Sequence, residues 1–513
     1  MSITKNAIIL IMLSIICKTS FSQNWPKIYG DNIHAYGLKI LESYDKGFVI
    51  CGDILKDPST FKYGWIIKTD INGNILWNKK FGDSYREDYF LDMDYTADNG
   101  WIISGVTSQL DIMNDPVYVK LNACGEIEWC KIFTSPGYNT ANGVVSLPNG
   151  EFIGMLQYYN SDGIVNRIGL VKMDASGEPL WIKYLAQQDT AAHNEDGFYL
   201  YQLPDTNYLV TGRTFNPSLK PYLIMTDTTG NEIWNINWPN GNAGYAGQSA
   251  FTSNNMIYNA SQLRFPEQPK IPYLLKCSRQ GEVINQYPLL GDTIVNGGAE
   301  TIYLLNDSTL YSGITWTDDP LLQYGYSDIL KTDTLGNLKL QRRLLNSMYP
   351  PTSIAETSDS NLLVLGYYPT GSNWDIYLWK MNQDLQDDTL STQALTYDSL
   401  CPYPIVNDTL ALNCSLFVDV KEIPTQEQYE STIRISPNPA KDWIVLNLPE
   451  GSYPKPVELS IYNLFGQEVI NQVTQAQDRN ITLNIAGLSQ GLYIAVVKGP
   501  GNKLMKGKFI VEH

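Results

Sequence analysis

From Asn24 to about residue 386, apolar and polar residues alternate in short runs, separated by two kinds of tight turn. Period-two alternation is the mark of strands with one buried face, so the chain reads as β throughout. The phrase "KTDINGNILWNKKFG" (68–82) is two such strands about a turn. It returns as "KLNACGEIEWCKIF", "KMDASGEPLWIKYL" and "MTDTTGNEIWNINW". The turn glycines Gly73, Gly125, Gly177, Gly230, Gly281 and Gly336 recur every 51 to 55 residues, and in a seventh copy Leu385 takes that place. Three residues earlier stand Asp70, Asn122, Asp174, Asp227, Ser278, Asp333 and Asn382. These side-chain oxygens can accept bonds from the turn's N–H groups while glycine supplies the positive φ. Trp77, Trp129, Trp181 and Trp234 follow four residues after their glycines.

Each period holds a second hairpin, as in "YTADNGWIISG" and "TSDSNLLVLG". Four short strands repeated about every fifty residues predict a β-propeller blade. The segment "NWPKIYG" reads as a lone outer strand with Trp25 in the tryptophan position, while the seventh copy, "DIYLWKMN", has no such strand after it. Pairing Trp25 and its neighbours beside Tyr377 to Asn382 would close a ring of seven blades over residues 23–386 and remove two open edges. The runner-up, an open β-solenoid, would not need complementary halves. The repeats resemble the tryptophan- and D-x-x-G-containing propeller repeats of exported bacterial proteins, a resemblance that specifies fold and not activity.

The two hairpin turns share one face of the disc and are short. The opposite face receives longer connections, among them 134–142, 157–167, 186–196 and 315–326. Function concentrates on loops held by a rigid scaffold. Exposed aromatics there are the candidate ligand contacts: Tyr138, Tyr159, Trp238, Tyr245, Trp316, Tyr324 and Trp374.

Residues 1–22 carry Lys5, an apolar run from Ala7 to Cys17 and small residues before Ser22, the layout of a secretory signal peptide. The run is too short to cross a bilayer, for which about 20 residues are needed, and no other segment comes close. Bulky Ile16 before Cys17 argues against a lipid anchor. A formal charge of −17 repels phosphate backbones and so argues against a nucleic-acid partner. Export makes disulfides available, and Cys401 with Cys414, in the polar segment 387–431 read as a linker, is the expected pair. Cys51, Cys124, Cys130 and Cys277 are expected to be small buried hydrophobes.

Residues 432–513 change character, with alternation in 443–448, 457–464, 481–485 and 492–497 that predicts a small antiparallel, Ig-like sandwich. "PNPAKD" (Pro437, Asn438, Pro439), "IYNLFGQEV" (Gly466), "L-x-x-GLY" (Gly491, Tyr493) and a closing basic strand resemble the type A C-terminal sorting domain of the type IX secretion system. The resemblance implies export across the outer membrane, with the secretion machinery as partner and the cell surface or medium as destination.

Chemistry is sparse. His34, His193 and His513 lie far apart, and neither "GxSxG", "HExxH", a P-loop nor a calcium loop is present. No metal or cofactor is expected. The reading is an exported, non-catalytic surface or secreted propeller, binding a glycan or protein or serving as structure. The alternative is a secreted polysaccharide hydrolase or lyase, which would need two converging carboxylates.

Overall fold

The computed structural model describes residues 24–30, 33–56, 61–83, 85–108, 114–134, 139–159, 166–185, 195–215, 219–241, 243–290, 296–318, 325–418, 429–448, 457–463, 468–475, 479–498 and 504–512. Among these, seven antiparallel sheets of four propeller strands follow one another along the chain. Their innermost strands are Ala35–Glu42, Asp88–Tyr95, Thr140–Ser146, Glu195–Gln202, Ala243–Phe251, Asn296–Asn306 and Ser353–Glu356, which begin blades 1 to 7. These strands face one another round the axis and are joined directly. Val144 N–H donates to Asp92 Oδ2 (3.3 Å), Ser249 N–H to the Tyr201 hydroxyl (2.9 Å) and Ile40 N–H to Ser353 Oγ (3.4 Å).

The last blade is completed by the first strand. Lys27–Tyr29 lies antiparallel on Asn373–Met381, with Lys27 opposite Leu378 and Tyr29 opposite Ile376. The expected ring closure is therefore present. The Tyr29 hydroxyl ties it to blade 1 by donating to Gly73 O at 2.7 Å.

The glycine of the D-x-x-G turn has two reasons to be glycine. Gly125 sits at φ +69°, where L side chains are strained. A Cβ there would also lie 2.8 Å from the Trp77 ring of the preceding blade. The same contact joins Trp25 to Gly73, Trp129 to Gly177, Trp181 to Gly230 and Trp234 to Gly281. Each outer-strand tryptophan is thus a knob seated on the next blade's turn. Trp129 and Trp234 also donate their indole N–H to a turn carbonyl there, at 2.9 Å each. Leu385 fits the same rule from the other side. Blade 6 has Leu340 where the tryptophan would stand, so no ring opposes a Cβ here, and Leu385 is tolerated at φ 59° with its side chain buried in the cluster of Leu378 and Met381.

The segment read as a linker is bound along most of its length. Asp408–Leu410 pairs in parallel with the outer strand of blade 1, Ile75–Phe81, and Ser415–Val418 with that of blade 2, Ile127–Thr134. Polar contacts fix the approach: Ile71 N–H to the Tyr397 hydroxyl (3.0 Å), Asp398 N–H to Asp45 Oδ2 (3.0 Å) and Tyr403 OH to Glu126 Oε1 (2.9 Å). This strap covers two edges that would otherwise be free to pair with other chains. The cysteine expectation is corrected here. Cys401 bonds Cys124 and Cys414 bonds Cys130, while Cys51 and Cys277 are free and buried. The partners lie 277 and 284 residues away, so spacing within the segment could not reveal them.

The C-terminal unit is a sandwich of a five-stranded and a three-stranded sheet around its own core. Trp443–Asn447, Val457–Asn463, Asn480–Asn484 and Gly491–Lys498 occupy the four expected stretches. One pair departs from the antiparallel expectation, since Tyr429–Thr432 runs parallel to Leu504–Val511. Asn438 of the "PNP" motif holds that last strand, accepting from Ile510 N–H (2.9 Å) and donating to Lys508 O (3.2 Å). Tyr493 is buried, stacks on Phe509 at 5.6 Å and donates to Ser489 O at 2.8 Å. Gly491 opens its strand opposite Val511, and Gly466 lies outside the described residues.

Candidate functional site

Six of the seven innermost strands carry an irregularity at one level of the ring. The register jumps between Gly37/Lys39, Phe90/Asp92, Ala141/Gly143, Gly197/Tyr199, Ala246/Ser249 and Ala299/Thr301. A bulge re-aims the side chains beside it. In blade 5 the bulge is held by Asn259, whose Nδ2 donates to Gly247 O (2.7 Å), Gln248 O (3.1 Å) and Ser249 Oγ (3.0 Å). Tyr36, Tyr89 and Tyr245 each stand one residue ahead of a bulge, near the loop-rich face.

The result is an aromatic funnel. On its blade 7 side, Tyr36 meets Tyr367 (4.8 Å, edge-on) and Trp374 (6.4 Å, stacked), while Tyr349 meets Tyr367 (5.2 Å) and Trp374 (5.5 Å). Tyr349 is 41% exposed, so this wall is open to solvent at its top. Lys62 reaches between blades 1 and 2, with its ammonium 4.9 Å from the Tyr36 ring and 5.1 Å from the Tyr89 ring. It also pairs with Asp53 at 3.2 Å. On the far side, Tyr199 donates to Glu300 Oε1 at 2.7 Å, and Arg213 bonds Asp196 at 2.6 Å below Phe198. Burial raises the hydroxyls of Tyr199, Tyr245 and Tyr367, each of which also feels the Glu300 carboxylate. They remain neutral donors across the working pH range.

Two of the seven sequence-derived contacts line this funnel, Tyr245 and Trp374. Trp238 is a correction: it is fully buried in the core between blades 4 and 5, with its indole N–H on Gln286 Oε1 at 2.8 Å. Trp316 is half-buried against Tyr326 and Arg343 and donates to Asp328 at 2.7 Å, so its polar edge is already engaged. Tyr138, Tyr324 and the Tyr159 side chain lie outside the described residues. Tyr36, Tyr89, Tyr199, Tyr349 and Tyr367 were missed. For Tyr36 and Tyr89 the signal existed, because they share the repeat position of Tyr245. A cavity of about 510 Å³ lined by Leu76, Trp77, Tyr397 and Asp398 belongs to the strap contact and not to this face.

Asp53, an acid of the funnel, has its carboxyl pushed by burial up to about 6 despite Lys62. Because its folded value is raised, keeping it ionised is unfavourable, by roughly 2–3 kcal/mol at neutral pH. Stability from this group is full below about pH 4 and is lost as pH rises through about 6. We expect urea unfolding of the protein to show that loss between pH 4 and 7, and Asp53→Asn to remove it. Equal pH slopes for the two proteins would contradict the assignment. Glu87 accepts from the Lys62 backbone N–H (3.2 Å), so two carboxylates flank one lysine. Among the described residues no cluster of His, Cys, Asp or Glu could hold a metal ion.

Residues 434–512 match the secretion system C-terminal sorting domain family. The chain therefore carries a type IX sorting domain behind a β-propeller and is exported to the cell surface or the extracellular space. No curated protein matches the chain. Among solved structures, it is similar to an ulvan lyase from a new polysaccharide lyase family (9% identity, 70% of this chain, 96% of that chain, TM-score 0.47). YCF48 bound to a D1 peptide is another (10% identity, 71% and 96% covered, TM-score 0.44). A third is the WD40 domain of SCAP from fission yeast (9% identity, 70% and 99% covered, TM-score 0.34).

Proposed function

We propose that this exported propeller is a binding protein that takes an extracellular glycan at the mouth of its tyrosine-lined funnel. The observation that carries the reading is the convergence of Tyr36, Tyr89, Tyr349, Tyr367 and Trp374 on the loop-rich face. Tyrosine and tryptophan offer rigid, flat apolar surface together with a polar edge, at low entropic cost. Sugar rings present C–H faces and hydroxyl rims that suit both. A few polar groups among apolar walls are the ordinary composition of a ligand site. The sorting domain delivers the protein to where such polymers are met.

The test is a glycan array probed with the purified mature protein, followed by calorimetry on the strongest hits. Tyr36→Ala with Trp374→Ala is expected to weaken binding at least tenfold while leaving the thermal transition within a few degrees. Unchanged affinity would remove the funnel as the site.

A second reading, a polysaccharide-degrading enzyme, is favoured by one feature, the Asp53–Lys62–Glu87 group at the same mouth. A carboxyl titrating near 6 is suited to proton transfer at neutral pH. Release of unsaturated or reducing ends from a bound glycan, abolished by Asp53→Asn, would favour this reading over simple binding.

A further inference from the structure

We infer that the funnel reads the end of a neutral or amine-bearing glycan, with Glu300 at its base as the specificity-determining residue; this deepens the glycan-binding reading above and rests on it. The base is bridged. Tyr199 of blade 4 reaches Glu300 of blade 6, and Gln248 of blade 5 donates from Nε2 to Thr352 O of blade 7 at 2.9 Å. Each bond skips a blade, so both cross the lumen in front of the blade between. A polymer entering from the loop face meets these side chains inside the lumen.

What it meets there is chemically selective. Glu300 is the residue inserted at the blade 6 bulge, which turns it out of the strand's alternation. Tyr199 engages its Oε1, and among the described residues no donor faces Oε2. That oxygen is an acceptor on the wall that also carries Tyr199 and Tyr245, whose hydroxyls feel the Glu300 carboxylate without bonding Oε2. Burial raises the Glu300 carboxyl, against the hydrogen bond from Tyr199 that lowers it, and a terminal sugar hydroxyl or amine donating to Oε2 would further favour the ionised form. A carboxylate or sulfate would instead face the Glu300 carboxylate. The funnel's cations do not offset this, because Lys62 is paired with Asp53 and Arg213 with Asp196. A site discriminates as much by what it leaves unpaired as by what it bonds.

The experiment is calorimetry on the full mature protein with maltohexaose, laminarihexaose and chitohexaose as neutral chains. α-Cyclodextrin serves as a glucan without ends and oligoguluronate as the anionic chain. The expected result is binding of at least one linear neutral probe, at least tenfold weaker or undetectable binding of α-cyclodextrin and oligoguluronate, and about tenfold loss for the neutral chain in Glu300→Gln. Tyr199→Phe, which removes the hydroxyl without the carboxylate, should lose no more than about threefold. Equal affinity for linear and cyclic glucan on the unaltered protein, preference for oligoguluronate, or an unchanged Glu300→Gln affinity would each overturn the end-reading and leave the glycan reading standing. Failure of every probe, matched by failure of the glycan array, would remove the glycan reading itself.

Discussion

Replacing Cys401 and Cys414 together by serine is expected to lower the unfolding free energy of the propeller on the order of 5 kcal/mol and to release the strap from blades 1 and 2. Cys124–Cys401 closes a loop of 277 residues, and the chain-entropy account places such a crosslink near the top of the usual range, about 4–5 kcal/mol. Once it exists, Cys130–Cys414 closes only the short circuit through 124–130 and 401–414, and contributes less. Part of the first gain is shared with the strand Lys27–Tyr29, which already holds the two ends of the ring together. The two effects are therefore less than additive. Calorimetric unfolding with and without reductant measures the loss. Non-reducing peptide mapping should join 124 to 401 and 130 to 414. A peptide joining 401 to 414, or a transition unmoved by the double replacement, would contradict the strap.

The second large effect concerns the tryptophan–glycine knobs. Trp77→Ala should cost about 3–5 kcal/mol, since a fully buried indole is removed between two blades. Gly125→Ala should cost about 2–4 kcal/mol, the sum of a left-handed backbone now carrying a Cβ and the overlap with the Trp77 ring. The informative variant is the double replacement Trp77→Leu with Gly125→Ala. Its cost should fall short of the summed costs of Trp77→Leu and Gly125→Ala measured singly by about 1–2 kcal/mol, because the ring that made the Cβ unwelcome is gone. The chain already contains the natural counterpart, Leu340 with Leu385. Strict additivity in the urea-unfolding cycle would show that the glycine answers only to its φ and that the inter-blade contact is incidental.

The architecture was legible because it rests on rules that act over a few residues. Alternation fixes which face of each strand is buried. The D-x-x-G turn, the tryptophan four residues on and the fifty-residue period then locate every blade, and the unpaired strand at Lys27–Tyr29 was readable as the partner missing from the last one. The sorting domain was equally plain, because its motifs are local: Asn438 works by bonding the adjacent closing strand, and Tyr493 by packing on Phe509. The double duty of the turn glycine was half legible. Its positive φ could be anticipated, whereas the ring resting on it comes from the preceding blade, about fifty residues away.

The funnel and the strap were decided elsewhere. Cys124 and Cys401 become neighbours only when the closed ring brings blade 2 round to the departing chain, so no local spacing encodes the pair. A loop aromatic such as Trp238 reads as exposed until the core between its own blade and the next is seen to take it in. Tyr36, Tyr199 and Glu300 come to one lumen only because three different blades bulge at one level around a common axis. Local pattern thus determined the strands, the turns, the closure and the export address. Partnership between residues hundreds of positions apart, and with it the candidate ligand site, came from curvature and closure, since contact across a ring depends on the geometry of all seven blades at once.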